Sequence, residues 1–420
     1  LVPDGGIWMN TQRPEWNDAN NALVGKGISV VTTAYLYRYV KFLQELVENA
    51  DVPAFHLSAP LAELLKELMG HLTGFTPTIE SGFDDKARFA FMESMGTAGT
   101  TFRSAVYGGK LAGKKKEVFK GELGAFLKAL LPYLESTLLN NRREDGLFHA
   151  YNVLKLKGNS IGVGHLSLML EGQVAILSAG LLPPEEVAEL LKSLRHSPLY
   201  RADQHSYILY PDRDLAGFLK KNVVPAKGKQ IGLLKALLDA GDTRLISADV
   251  LGGLHFNGLF HNDRDVKRVL NELAQEDAYA ELVAQDRENV LDLFEEVFDH
   301  SSFTGRSGTF FGYEGLGSIY WHMVTKLLLA VQENLWQVID NGGDELLAGL
   351  LMEQYYDIRN GIGFNKTPAV YGSFPTDPYS HTPAGAGAKQ PGMTGQVKEE
   401  LVARWKELGV VVEKGIVSFT

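Results

Sequence analysis

The chain reads as an all-α-dominated protein, and three observations carry that reading. Apolar residues recur at three- and four-residue spacing through most of the length, strand-like alternation is confined to short runs, and long glycine-bearing polar loops join the helical stretches. The first stripe is Ile28, Val31, Tyr35, Tyr39, Phe42 and Leu46. Similar stripes run through 59–72, 117–139, 185–195, 264–298, 316–338, 344–357 and 395–408. Pro183-Pro184-Glu185-Glu186 is a proline-led, acidic first turn. Strand signals are limited to runs such as 206–210 and 416–419, and there is neither βαβ alternation nor a short fixed-period repeat.

The connecting loops fall at 74–86, 141–164, 196–214 and 300–315, and the longest runs from about 359 to 394. Structureless loops beyond ~12–15 residues in a compact domain are usually functional or disordered. The last is read as functional, because the helical pattern Val397, Leu401, Trp405, Leu408 follows it directly. The expectation is that this loop, with Asp357, Arg359, Asn360, His381 and Thr382, folds over the same pocket as Asp18. No stretch has the composition of an interdomain linker. Residues 1–410 therefore read as one helical domain, followed by a terminal strand segment over 411–420. Helix pairs with large loops predict an α/α toroid whose site lies at the loop face.

Composition narrows the function. With 45% hydrophobic and 22% charged residues over 420 positions, the chain can bury a large core. A net charge of −10 argues against a nucleic-acid or anionic-membrane surface. Absence of Cys removes disulfides, thiolate metal sites and Cys nucleophiles, and fits a reducing, cytoplasmic setting. No apolar run reaches the roughly 18 residues of a membrane span. Leu1-Val2-Pro3-Asp4 is neither a signal peptide nor an initiator Met, so a processed chain or part of a longer one is expected. The 44 glycines and 16 tyrosines are compatible with aromatic-lined loops at a carbohydrate site.

The densest polar cluster is Asn10-Thr11-Gln12-Arg13-Pro14-Glu15-Trp16-Asn17-Asp18-Ala19-Asn20-Asn21, shortly before the first helix. Helix capping explains one Asp or Asn there, not the whole set. A sugar site needs all of these types: an indole to stack, amides for hydroxyls, and a carboxylic acid to protonate a leaving oxygen.

These residues carry a family resemblance. Glu15-Trp16-Asn17-Asp18, with Asn20 or Asn21 and Gly25, resembles the Asp-Trp-Asn-Asp motif of the cellobiose and chitobiose phosphorylase family. That family comprises inverting glycoside phosphorylases built on an (α/α)6 barrel. The resemblance implies Asp18 as general acid, with Arg13, Glu15, Trp16, Asn17 and Asn21 at the substrate; Glu15 stands where the family has Asp. Gly312-Tyr313-Glu314-Gly315-Leu316-Gly317-Ser318-Ile319-Tyr320-Trp321-His322 is similar to the family's Glu…Gly…Tyr…His segment, which implies His322 as a phosphate ligand. Met393-Thr394-Gly395, entering the last helix, resembles its Thr-Gly phosphate contact, although Gln396-Val397-Lys398 departs from the family pattern. A helix start is in any case a suitable anion site. The resemblance further implies inorganic phosphate as co-substrate, no other cofactor, and an oligosaccharide substrate. It also implies a homodimer or association with an N-terminal portion carrying the first barrel helices.

Other segments read less specifically. Arg201-Ala202-Asp203-Gln204-His205-Ser206-Tyr207 with 210–214 is a charge-rich turn, either a salt-bridged corner or a sugar subsite. Asp145 to Asn152 mixes aromatic and amide groups, with capping as the alternative. Arg306, among small residues in 300–308, could cradle an anion. His255, His261 and His300 lack metal-ligand spacing, and no phosphate loop, dinucleotide fingerprint or serine elbow occurs.

Three functions remain. In phosphorolysis, Asp18 protonates the glycosidic oxygen and phosphate on His322, Thr394 and Gly395 attacks, so no base is needed. In inverting hydrolysis a carboxylate activates water across the sugar, with Glu314 the best candidate, then Glu15 or Asp357. Tyr320, Asp357, Arg359 and His381 are further substrate-contact candidates in either case. A sugar-binding toroid without turnover is the non-enzymatic alternative.

Overall fold

The computed structural model describes residues 1–9, 23, 25–109, 113–211, 216–299, 317–375, 377, 379–391, 396–413 and 415–419. The all-α-dominated class expected from the sequence is what it shows: long helices with only small sheets. The stretch 1–410, read above as one domain, divides into two compact units. One comprises Leu1–Asp212 and Phe311–Thr420, and the other is Arg213–Phe310, inserted in sequence between those two parts. The second junction follows the Ser- and Gly-rich stretch 301–308, a composition read above as an active-site loop.

In the larger unit, helix Val30–Asn49 packs on Lys120–Leu139 and Leu170–Ala179. Trp321–Asp340 packs on Leu170–Ala179, Glu345–Asn360 and Gln396–Glu407, and Pro184–Arg195 lies against Glu345–Asn360. Ala59–Ser81 pairs with Asp85–Tyr107 and with Lys120–Leu139. Local chemistry sets several starts. Ser29 accepts from Thr32 N at 2.9 Å, Asp84 accepts from the N–H groups of Lys86 and Ala87, and Asp344 accepts from Leu346 N, each capping its helix.

Several stretches expected as loops hold regular structure, among them 359–394, which contains the helix Pro368–Tyr371 and the strand Tyr379–Thr382. Residues 74–86 fall largely within Ala59–Ser81, and the helix Asp85–Tyr107 follows. That helix is rich in Gly, Ala, Thr and Ser and buries only Arg88, Phe91 and Ala98, so its periodicity is faint in sequence. Residues 141–164 contain an antiparallel hairpin, Tyr151–Lys157 with Ser160–His165, closed at Gly158-Asn159. The hairpin extends a four-stranded sheet in which Ile7–Trp8 pairs Gly27–Ser29 and Gly27–Ser29 pairs Tyr151–Lys157. The expected terminal strand is one arm of a hairpin, Val410–Glu413 with Ile416–Phe419.

The inserted unit has its own core. Helices Gly232–Asp239, Asp263–Leu273 and Ala280–Phe298 enclose the hairpin Ile246–Ala248 with Leu254–Phe256. Leu233, Leu237, Val266, Leu270, Val290 and Phe294 are buried together. The single stripe read over 264–298 is two helices separated at 274–279, a break that their shared apolar register concealed.

Candidate functional site

Arg13, Glu15, Trp16, Asn17, Asp18 and Asn21 lie outside the described residues, as do Arg306, Glu314, Thr394 and Gly395. Their flanking anchors are described. Met9 N donates to Gly27 O at 2.9 Å and Gly25 N donates to Met9 O at 2.7 Å, which brings both ends of the Asp18 segment together. Gly25 has φ +87°, and a Cβ on Gly27 would fall 2.2 Å from the Leu23 Cβ, so glycine is required at this neck. Ser29 then caps the first helix.

The starts of four helices meet at this end of the larger unit. Val30 N and Val31 N donate to Ala150 O at 3.0 and 3.3 Å. Gly172 packs on Ala150 so closely that a Cβ would lie 3.0 Å from Ala150 N. Leu170 N donates to Leu209 O at 2.8 Å and Leu209 N donates to Ser318 O at 3.1 Å, just before Ile319–Tyr320 and helix Trp321–Asp340. His322 Nε2 stands 3.3 Å from Glu399 Oε1, in the first turn of Gln396–Glu407. Further along, Arg38 binds Ser178 O and Glu333, Asn334 donates to Leu177 O, and Gln332 donates to Ala403 O. The four helices therefore run the same way, and their partly positive N-termini share one end. Segments 10–22, 300–316 and 392–395 lead into three of them.

The described site candidates at this end are Tyr320, His322 and His381. Tyr320 and His381 face each other in paired strands, with rings stacked at 4.9 Å and 12°. Tyr320 Oη lies 3.1 Å from His322 Nδ1. The tautomer with the proton on His322 Nε2 satisfies both contacts, Nε2 donating to the Glu399 carboxyl and the tyrosine hydroxyl donating to Nδ1. Burial, and then Lys326, hold the imidazole pKa below its usual value, and Glu399 opposes them. Thr394 and Gly395 lead into the helix whose first turn touches His322.

Asp357 and Arg359 have partners of their own. Asp357 accepts from His205 Nε2 at 2.9 Å and pairs with Arg195 Nε at 3.4 Å, while Tyr200 Oη lies 3.1 Å from His205 Nδ1. Arg195 stacks 3.5 Å over the Tyr200 ring, and His205 has φ +46°. The charge-rich turn at 201–207 is in large part a cross-linked corner: Arg201 pairs with Asp203 at 2.8 Å and donates to Pro383 O. Arg359 is bound to Glu407, which also accepts from Tyr355 Oη and Arg404, tying two helices together. The 145–152 segment is used for packing. Asp145 pairs with Arg143 and accepts from Leu147 N, and buried Asn152 bonds Gly5 O, Asn141 and His165.

Sequence reasoning missed Glu171, Lys326 and Glu399. Glu171 lies in the first turn of Leu170–Ala179 and accepts from Tyr151 Oη at 2.9 Å. Burial raises its pKa, opposed by Tyr151 and Lys326. Lys326 is close enough to act electrostatically on both Glu171 and His322. The available signal was a single charge within each of two otherwise apolar helical runs, Leu170–Ala179 and 321–331. Among the described residues no group of His, Asp and Glu is arranged to hold a metal ion, and no helix is long and apolar enough to cross a membrane.

A search of curated proteins finds no match to the chain. Residues 215–301, within the inserted unit, match the family model described as GH149 phosphorylase insertion domain 2. The match supports kinship with a glycoside phosphorylase-like family, and it does not single out the cellobiose and chitobiose phosphorylases.

Proposed function

We infer that the chain carries the catalytic portion of an inverting glycoside phosphorylase, acting on a β-glycosidic bond of an oligosaccharide. The observation that carries this reading is the shared end of four parallel helices. His322 sits there, and the segments holding Asp18, Glu314 and Thr394 lead into it. The match of 215–301 to a phosphorylase insertion domain supports it independently.

In this mechanism the Asp18 carboxyl protonates the glycosidic oxygen as its bond to the anomeric carbon breaks. A phosphate oxygen, held by His322 and the Thr394-Gly395 helix start, forms the new bond from the opposite face. The products are a sugar 1-phosphate of inverted configuration and the shortened saccharide. Phosphate is already an anion, so no second carboxylate acts as base. Trp16 stacks on the sugar, and Arg13, Glu15, Asn17, Asn21 and the Tyr320–His381 stack contact its hydroxyls.

The helix row also fits part of an (α/α)6 toroid. Tyr39, Phe42 and Leu46 on the first helix and Leu401, Trp405 and Leu408 on the last are exposed apolar stripes. In this reading, barrel helices of an N-terminal portion cover them, or a second copy in a homodimer does.

Incubation with β-linked oligosaccharides, with and without inorganic phosphate, tests the proposal, with sugar 1-phosphate as the expected product. Full turnover without phosphate would replace it with inverting hydrolysis, Glu314 then being the first candidate base. Binding without any turnover would leave an inactive sugar-binding toroid. Asp18→Asn should lower kcat at least ~100-fold on a poor leaving group while leaving the melting profile unchanged.

A further inference from the structure

Glu399 stands where an anion bound to His322 would have to stand. Its Oε1 accepts from His322 Nε2 at 3.3 Å, and it lies in the acidic first turn of Gln396–Glu407, over the partly positive helix start. Its Oε2 is shielded from solvent and has no hydrogen-bond partner among the described residues. The contrast with Glu407 on the same helix is direct. Both oxygens of Glu407 are engaged, Oε1 by Tyr355 and Arg359 and Oε2 by Arg404, as expected of a carboxylate that locks two helices. Among the described residues Glu399 is only half satisfied, and its bound oxygen faces His322 Nε2. The charged neighbours are Lys326, from the His322 helix, and Lys398, from the Glu399 helix. Lys326 acts in turn on Glu171, from Leu170–Ala179.

We propose that Glu399 is a place-holder for the phosphate and sets its affinity. Its carboxylate accepts the His322 proton in the ligand-free protein, and an entering phosphate takes over that hydrogen bond only by displacing it. The proposal rests on the phosphorylase reading for the identity of the anion. It makes Glu399 a positioning residue that opposes binding, unlike His322, which supports it. Displacing one anion by another in a partly buried site costs affinity, so removing the charge at the same size should strengthen phosphate binding.

The test is titration of inorganic phosphate into the whole chain by calorimetry, for the unchanged protein, Glu399→Gln, Glu399→Ala and Glu399→Gln combined with His322→Asn. Both single variants should bind phosphate about tenfold more tightly, equivalent to ~1.4 kcal/mol, and the double variant should lose that gain. In turnover, KM for phosphate should fall in the single variants while KM for the saccharide stays in place. A loss of helix stability alone would not produce that split. Glu399→Ala also separates the charge effect from any rearranged glutamine hydrogen bond. Unchanged or weaker phosphate binding in both single variants overturns the proposal. Binding to none of the proteins overturns it together with the phosphate role of His322. Tighter binding without any sugar 1-phosphate formed leaves Glu399 as place-holder and removes the phosphorylase reading.

Discussion

The inserted unit and the larger unit are stabilised in different ways. Arg213–Phe310 buries a continuous aliphatic and aromatic core, and most of its ion pairs lie outside that core. Lys267–Asp263 and Arg268–Glu272 are exposed helix pairs, worth a few tenths of a kcal/mol each. The larger unit buries Arg88, Asn141, Asn152, Gln173, Asn334 and Arg359 among its helices and strands. All but Arg359, which pairs with Glu407, bond backbone groups of loops and helix ends, for example Gln173 on Phe148 and Asn334 on Leu177. The inserted unit buries two such side chains beside its apolar core: Asn222 bonds Phe256 and Asp286 accepts from Leu233 N. The larger unit spends polar groups on fixing where its loops begin and end, as a site built on loops requires.

The largest expected effect tests the apolar unit. Phe294 is buried against Phe256 at 5.1 Å and Phe298 at 4.7 Å. Phe294→Ala should destabilise the inserted unit by about 3–5 kcal/mol. Scanning calorimetry should show a lowered transition for that unit with the other in place. A single transition that shifts as a whole would break the comparison.

Arg88 makes the matching test in the larger unit. Its guanidinium donates to Pro3 O, Ile161 O, Phe83 O, Asp85 and Asp4, so one side chain joins the N-terminal segment, a helix and the hairpin. Arg88→Met leaves Asp4 without its guanidinium, and we expect a loss of about 3 kcal/mol in urea unfolding. A loss below about 1 kcal/mol would mean that the polar network follows the packing instead of fixing it.

The smallest effect is a pH dependence. Burial first, then the stacked His165 and Arg143, lower the His149 pKa from 6.5 to about 4. A histidine depressed on folding favours the folded state while neutral. Its contribution is present above pH 6.5 and is lost as the pH falls towards 4. The melting temperature should therefore drop across that window, and His149→Gln should flatten the drop. An unchanged slope in the variant would assign acid sensitivity to other groups.

Much of the fold was legible because helix signals are local. The proline-led start at Pro184, the stripe of the Trp321 helix and the terminal strand at 416–419 each lie within a few residues of their cause. The helix at 85–107 was not legible, because Arg88 bonded to distant carbonyls stands in for an apolar stripe. The stripe through Tyr39, Phe42 and Leu46 marked a helix correctly but its outer part is exposed, since periodicity reports that a face is apolar but not what covers it.

By itself the sequence determined the helical class, the residue types at Asn10–Asn21 and the positions of the glycines that narrow the neck of that segment. Tertiary structure alone decided that four helices begin at one end, and that His322 meets Glu399 across 77 residues of chain. It also decided that Asp357 and Arg359 turn to His205 and Glu407. Propensity and periodicity are set by neighbours along the chain, whereas the partner of a charged side chain is set by which helices pack together. No local pattern encodes that choice.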